Sequence, residues 1–274
     1  MLKLPCAKIN LGLNVVRRRS DGYHDIETVF YPIPFTDVLE LRPLPKGDAP
    51  DIQILGMPQG EAAADNLVCR VYRDLQREFS LPPVSLYLYK KIPVGAGLGG
   101  GSSDAADTLV AANEMFNLGL TPSEMQSRIA RYGADCAFFI RRRPVFATGI
   151  GDVFEDICLS LKGYHLALVK PAESVSTREA YAGIVPSPAE TDIRQVLQGD
   201  PASWRTQLKN DFEPSVFAAH PRIAAIKQTL YDMGALYSSM SGSGSAVFGI
   251  FQRPVPEVQS VFADCFTFTK QLAK

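Results

Sequence analysis

The chain has 274 residues, 46% of them hydrophobic and 21% charged, and its 28 Lys and Arg nearly cancel its 29 Asp and Glu. That length suits two domains that each bury a core, and that balance leaves no global field to draw the chain onto nucleic acid or an anionic membrane. No run approaches the roughly 18 apolar residues of a membrane span, and neither a CxxC pair nor an HExxH helix offers a built-in zinc site.

The N-terminal stretch MLKLPCAKINLGLNV alternates as a strand does and lacks the continuous apolar core and small-residue cleavage site of a signal peptide. β-branched and alternating apolar residues predict extended segments over 2–18, 26–31, 37–42 and 51–55. Asp21 and Gly22 predict a turn over 20–25, and the Pro and Gly content of 42–50 predicts a loop. Asp65 is a candidate N-cap, after which Leu67, Val68, Val71, Tyr72, Leu75 and Phe79 recur at helical spacing until Leu81, Pro82 and Pro83. A strand over 84–92 then delivers the chain into PVGAGLGGGSSDAADTL.

In that stretch five glycines fall within seven residues: Gly95, Gly97, Gly99, Gly100 and Gly101. Without a Cβ they can turn successive N–H groups toward one anion, and the alanine-rich helix that follows presents its first N–H groups to the same space, with the Ser102 and Ser103 hydroxyls beside them. The stretch reads as a phosphate cradle rather than a linker, since a strand precedes it and a helix faced by Ala106, Leu109, Val110, Asn113 and Phe116 follows it. Gly95, Gly97 and Gly100 also satisfy the dinucleotide pattern GxGxxG, but no acidic residue ends a second βαβ strand about 20 residues on. No Lys follows the final glycine as a P-loop requires, and no HRD-like or DFG-like segment of a protein kinase occurs.

Beyond the cradle, Thr121, Pro122 and Glu124 write a capping box for a helix reaching about residue 132. An apolar segment over 133–140 carries one carboxylate, Asp135, near its start, and Gly149 and Gly151 form a turn within 144–160, where the first domain is expected to end near residue 155. The second half predicts a strand (164–169), helices (176–183, 191–197, 221–233), strands (235–240, 245–251), a helix (256–264) and a last strand, which is an α+β layer sandwich. Ser241–Gly244, SGSG, reads as a hairpin connection, with a role beside the phosphates as the alternative, its glycines permitting close approach to the first loop. Cys6, Cys69, Cys136, Cys158 and Cys265 are odd in number and dispersed, which suits reduced thiols in a cytoplasm.

PVGAGLGGGSSDAA resembles the central motif of the GHMP kinases, the small-molecule kinases named for galactose, homoserine, mevalonate and phosphomevalonate, and residues 6–30 and 240–251 extend the resemblance along nearly the whole chain. It implies a two-domain fold: an N-terminal ribosomal-protein-S5-like α/β domain over 1–155 and a C-terminal ferredoxin-like α/β sandwich over 156–274. It also implies ATP with Mg²⁺ as cofactor and a small-molecule partner, the 2-hydroxyl of 4-diphosphocytidyl-2-C-methyl-D-erythritol of the non-mevalonate isoprenoid pathway being the acceptor. Nucleic acid and membrane are not implied as partners, and the enzyme would be a cytoplasmic monomer or homodimer. A GHMP kinase for another alcohol and a non-catalytic nucleotide-binding module stand as alternatives.

Carried over by position, the resemblance makes Lys8 and Asp135 the catalytic pair, Asp135 taking the proton of the attacking hydroxyl and Lys8 orienting that carboxylate and holding the hydroxyl or phosphoryl group. Read alone, Lys8 is a strand lysine and Asp135 a turn cap. The nucleotide would lie on Pro93, Val94, Gly95, Ala96, Gly97, Leu98, Gly99, Gly100, Gly101, Ser102 and Ser103, with Asn66 and Lys90 near the adenine. Tyr23, His24 and Tyr181 would sandwich and read the cytosine, and Asn10 and Thr177 would touch the substrate; read alone, DGYH is a hairpin turn with exposed rings. The metal ligands stay unknown. Ser103 is a candidate, and a divalent cation between Asp104 and Asp107 would relieve their repulsion of phosphates. The runs 17–19 and 141–143, all arginine, read as solvated faces, with a diphosphate contact as the alternative.

Overall fold

The structure is a computed structural model that describes residues 1–45, 47–49, 51–56 and 65–273. It divides into two compact units, one made of 1–7, 35–94 and 99–142, the other of 8–34, 95–98 and 143–274. These are not the consecutive halves expected from a boundary near residue 155. The reason lies in the two long early strands, whose Leu13, Val15 and Ile26 are buried in one apolar cluster with Ala167, Val169, Ile226 and Val247.

The chain begins with β1 (Leu2–Lys3) and β2 (Cys6–Arg18), interrupted at Leu4 and Pro5, followed by β3 (His24–Thr36), β4 (Val38–Pro43) and β5 (Asp51–Gly56). The single strand expected over 2–18 is thus two, consistent with Pro5 having no N–H for a ladder. Of the expected loop over 42–50, Lys46 and Pro50 lie outside the described residues. Next come α1 (Leu67–Phe79), β6 (Val84–Lys90), α2 (Gly100–Phe116), α3 (Pro122–Ile129) and α4 (Phe138–Arg141). In the first unit the sheet order is β1-β4-β6-β5. β5 runs parallel to β6, with α1 in the connection, while β1 with β4 and β4 with β6 are antiparallel. Asn66, not Asp65, caps α1, its side chain accepting the Val68 N–H at 3.1 Å. The Thr121–Glu124 capping box is formed as expected, and a 3₁₀ turn over Ala130–Tyr132 carries α3 onward.

The second unit contains β7 (Val145–Thr148), β8 (Val153–Asp156), β9 (His165–Lys170), α5 (Thr177–Ala182), α6 (Ile193–Leu197), α7 (Trp204–Gln207), α8 (Glu213–Ala219) and α9 (Pro221–Asp232). β10 (Tyr237–Met240), β11 (Val247–Phe251), α10 (Val258–Val261) and β12 (Phe266–Gln271) complete it. One sheet has the order β2-β3-β7-β8 and the other the order β10-β11-β9-β12, antiparallel throughout. α7 and α8 were not expected: both are under two turns long, too short for a 3.6-residue period to register.

Candidate active site

The glycine stretch is not one uniform loop. Gly95, Gly97 and Gly99 have φ of 63°, 74° and 70°, while the intervening Ala96 and Leu98 are not among the positive-φ residues. Alternation of hand along a short segment turns successive N–H groups to one side and makes an anion-binding concavity. Gly99 caps α2, whose first turn holds Gly100 and Gly101, so these two glycines serve the helix rather than the bend. A Cβ on Gly100 would come within 2.8 Å of Ile92, so the reason for glycine there is close packing.

The carbonyls of this segment are tied back. Leu98 O accepts the Lys8 N–H at 2.9 Å, Ala96 O accepts the Ala246 N–H at 3.2 Å, and Gly97 O accepts the Ser241 hydroxyl at 2.9 Å. Three consecutive carbonyls so occupied leave the opposite, N–H side of the bend for a ligand. A Cβ at Gly97 would overlap the carbonyl oxygen of Ser241, so the two glycine turns touch backbone to backbone. The Ser241–Gly244 turn joins β10 to β11 as a hairpin connection and approaches the first loop closely.

Lys8 is buried on β2, its ammonium donating to Asn10 Oδ1 at 2.7 Å and lying 4.9 Å from the centre of the Phe30 ring. Asn10 in turn donates to Thr28 Oγ1 at 3.0 Å, and Thr28 donates to Gly12 O at 2.5 Å. β2 and β3 thus fix the lysine through a chain of side chains whose polar atoms are otherwise shut from water. Asn10, expected at the substrate, is in this structure an orienting partner of Lys8.

In the first unit, Asp135 lies in a 3₁₀ turn over Ala134–Ala137 rather than in a plain apolar segment. That turn packs against α2, and a Cβ built on Gly133 would lie 3.9 Å from Ser102 Oγ. That turn therefore lies beside the N-terminal turn of α2, and Asp135 within it is half-buried. Ser103, one residue on, is fully buried and its hydroxyl has no hydrogen-bond partner among the described residues. A buried, unmatched hydroxyl at the start of a helix suits a metal-bound phosphate or the metal itself.

Two sequence-based assignments are corrected here. Lys90 is not available to adenine through its side chain: the ammonium is 3% exposed and sits between Asp37 and Asp104, 2.6 Å from the latter. Asp37 also accepts the Lys91 and Ile92 N–H groups, at 2.5 and 2.8 Å, so this buried cluster fastens the end of β6 to α2 on either side of the glycine bend. Burial, with Asp37 beside it, pushes the Asp104 carboxyl up to about 7 against the pull of Lys90. Burial also works against the Lys90 ammonium, but Asp104 and Asp37 together outweigh it and hold its pKa above the ordinary lysine value.

Asp104 and Asp107, expected to share a divalent cation, each meet a cation of the chain itself, Asp104 the Lys90 ammonium and Asp107 the Arg142 guanidinium, and both carboxylates are buried. Among the described residues no group of three His, Cys, Asp or Glu could hold a metal. Arg142 is accordingly not part of a solvated run, and Arg17 and Arg19 brace the 20–25 turn by pairing with Asp25, Arg19 also with Asp21.

That turn displays Tyr23, 62% exposed, and positions His24 at the start of β3. His24, rather than Tyr23, faces Tyr181: the two rings stack with centroids 4.7 Å apart and planes 19° apart, and Tyr181 rests edge-on against Phe212 at 4.8 Å. The pair of aromatic faces expected to flank a base is therefore closed on itself, with Tyr23 exposed on the residue before His24. Thr177 begins α5 and lies 3.5 Å from Ser243 of the second glycine turn. Asn66 spends its carbonyl oxygen on the cap of α1 and keeps its amide donors. Pro93 is buried and Val94 exposed as the chain enters the bend. Asp37, Asn210 and Glu213 carried no periodicity or motif spacing that singled them out; only their partners in space reveal them.

The family model for the GHMP kinases N terminal domain matches residues 66–143, and that for the GHMP kinases C terminal region matches residues 189–266. The glycine bend leading into α2 and the β10–β11 glycine turn fall at the heart of these segments, and the class of protein they define is the GHMP kinases, ATP-dependent phosphotransferases with small-molecule acceptors. A 4-diphosphocytidyl-2-C-methyl-D-erythritol kinase of Parabacteroides distasonis is 48% identical over 274 residues, all of both chains, and one of Bacteroides fragilis is 47% identical over 99% of this chain and all of its own. A crystal structure of 4-(cytidine 5'-diphospho)-2C-methyl-D-erythritol kinase superposes over the full length of both chains with a TM-score of 0.84 at 28% identity. The chain belongs to the family of the 4-diphosphocytidyl-2-C-methyl-D-erythritol kinases.

Proposed function

We propose that the chain transfers the γ-phosphoryl group of ATP to the 2-hydroxyl of 4-diphosphocytidyl-2-C-methyl-D-erythritol, in the cytoplasm, releasing ADP. The observation that carries this reading is the alternating bend at Gly95, Gly97 and Gly99 with its three carbonyls tied back, which leaves N–H donors for phosphate oxygens.

Asp135 accepts the proton of the attacking hydroxyl, so that the oxygen gains nucleophilicity as it approaches phosphorus. The Lys8 ammonium, held by Asn10, stabilises the charge on the transferring group. Pro93 to Ser102 form the bed of the nucleotide, the loop N–H groups facing its phosphates. Mg²⁺, when bound with the nucleotide, supplies neutralisation of phosphate charge, and Ser103 is the residue whose unmatched hydroxyl fits that role. His24 and Tyr181 offer an aromatic face and a ring nitrogen to the cytosine, with Tyr23 as the second face and Thr177 at the margin.

Release of ADP, coupled to a dehydrogenase readout, tests the reading with the cytidylyl substrate against mevalonate, homoserine and galactose. Turnover with the cytidylyl substrate supports it. Turnover only with one of the other alcohols, or with none, overturns the acceptor assignment.

A further inference from the structure

The second glycine turn needs something to hold it, since Ser241 to Gly244 is rich in conformational freedom and yet presses on Gly97. One side chain does most of this. Asn210 is 2% exposed, and its amide donates to Met240 O at 2.8 Å and to Gly242 O at 2.9 Å, while its Oδ1 accepts the Phe212 N–H at 3.0 Å. Both amide protons and the acceptor are thereby engaged, and the two carbonyls it grips bracket Ser241, whose hydroxyl binds Gly97 O. From the same stretch, Glu213 accepts the Met240 N–H at 2.9 Å and the Ser239 hydroxyl at 3.1 Å, and it is paired with Lys227.

This stretch is itself anchored to the strand that carries Lys8. Leu13 donates to Lys209 O at 2.8 Å, Asp211 donates back to Leu13 O at 2.9 Å, and the Val15 N–H donates to the Asp211 carboxylate at 2.7 Å. A single segment, 209–213, therefore joins β2 to the second glycine turn, and that turn to the first. An effect of this segment on the nucleotide passes through the second glycine turn, whose links to the bend are the Ser241 hydroxyl on Gly97 O and, just beyond the turn, the Ala246 N–H on Ala96 O.

We propose that Asn210 is a positioning residue for phosphoryl transfer: through Met240, Gly242 and the Ser241 hydroxyl it fixes the Gly95–Gly99 bend in its phosphate-binding form. The inference rests on that bend holding the ATP phosphates. A loosened bend costs nucleotide affinity and alignment, whereas contacts to the acceptor alcohol stay as they were.

The test uses the full-length enzyme with Asn210→Asp, which keeps the acceptor for Phe212 and loses both donors, and with Ser241→Ala, which removes the hydroxyl that donates to Gly97 O at 2.9 Å and lies 3.5 Å from Asn10 Oδ1. Steady-state kinetics are measured against each substrate, and binding of a non-hydrolysable ATP analogue is measured by calorimetry without the acceptor. The expected result is a rise of about tenfold in the KM for ATP and in the dissociation constant of the analogue for each variant, as loss of a buried hydrogen bond predicts. The KM for the acceptor should stay within about twofold. The double variant should fall short of the product of the single effects, because both act on one link. Equal changes in both KM values, or unchanged analogue binding in Ser241→Ala, would overturn the proposal. Should Asn210→Asp not fold, Ser241→Ala decides alone. Wild-type enzyme that fails to bind the analogue at all would instead defeat the assignment of the bend to ATP.

Discussion

Replacing Lys90 with Met isolates what the buried cluster beneath the glycine bend contributes. The ammonium is the sole cation in contact with Asp37 and Asp104 among the described residues, and the carboxylates are 0% and 2% exposed, so the variant strands negative charge in the interior. Removing one partner of a buried pair costs about 3–5 kcal/mol, a large part of the 5–15 kcal/mol that typically holds a fold. The loss also has a pH signature. In the unfolded chain Asp104 titrates at its ordinary value of 3.8; in the native protein it is pushed up to about 7. The folded state therefore binds the extra proton, and this group's contribution to stability is lost as pH rises from about 4 to about 7. Without Lys90 nothing opposes burial and Asp37, and the native pKa rises further. The penalty of Lys90→Met is then constant below about pH 7 and grows by about 1.4 kcal/mol per unit above it. Urea unfolding followed by far-ultraviolet circular dichroism at pH 6, 7 and 8.5 measures both effects. A loss below about 1 kcal/mol, or one that is the same at pH 6 and 8.5, would refute the reasoning; simple loss of packing by the lysine stem produces the latter. Adding Asp104→Leu to Lys90→Met should recover part of the stability at pH 8.5.

Further outcomes follow from the same geometry. Asp135→Asn should leave the melting temperature and analogue binding near wild type while turnover falls by about a hundredfold or more, and a near-normal rate would sink the assignment of the base. Gly97→Ala should lower the melting temperature by several degrees and weaken analogue binding at least about tenfold, because the methyl group meets the Ser241 carbonyl and the residue must hold φ of 74°. Normal binding by that variant would mean that the bend tolerates rearrangement. Tyr181→Ala removes the ring that backs His24, and the KM for the cytidylyl substrate should rise about tenfold with that for ATP unchanged, on the usual worth of a stacked base. An unchanged KM would move the base elsewhere.

The sequence already carried the features that are local or periodic. The strand entering the bend, the capping box at Thr121 and the helix faced by Val68, Val71, Tyr72 and Leu75 depend on neighbours within a few residues, so a window of sequence contains their cause. Its motifs also carried the GHMP class and the glycine stretch, since backbone freedom is a property of residue type, whereas Lys8 and Asp135 stood out only by position in the family resemblance. Partnership across the chain was another matter. Lys90 was legible as a cation near the adenine and Asp104 as a helix-start acid suited to a metal, and tertiary structure alone set them against each other and against Asp37. His24 rather than Tyr23 meeting Tyr181 is a contact between distant parts of the chain, which sequence spacing does not encode. Asn210 had no signal at all, because its value lies in two carbonyls 30 and 32 residues away. What the chain by itself determined is which residues can do phosphoryl chemistry. What only the fold decided is which of them are spent on one another, because burial leaves each charge and each amide a single set of partners.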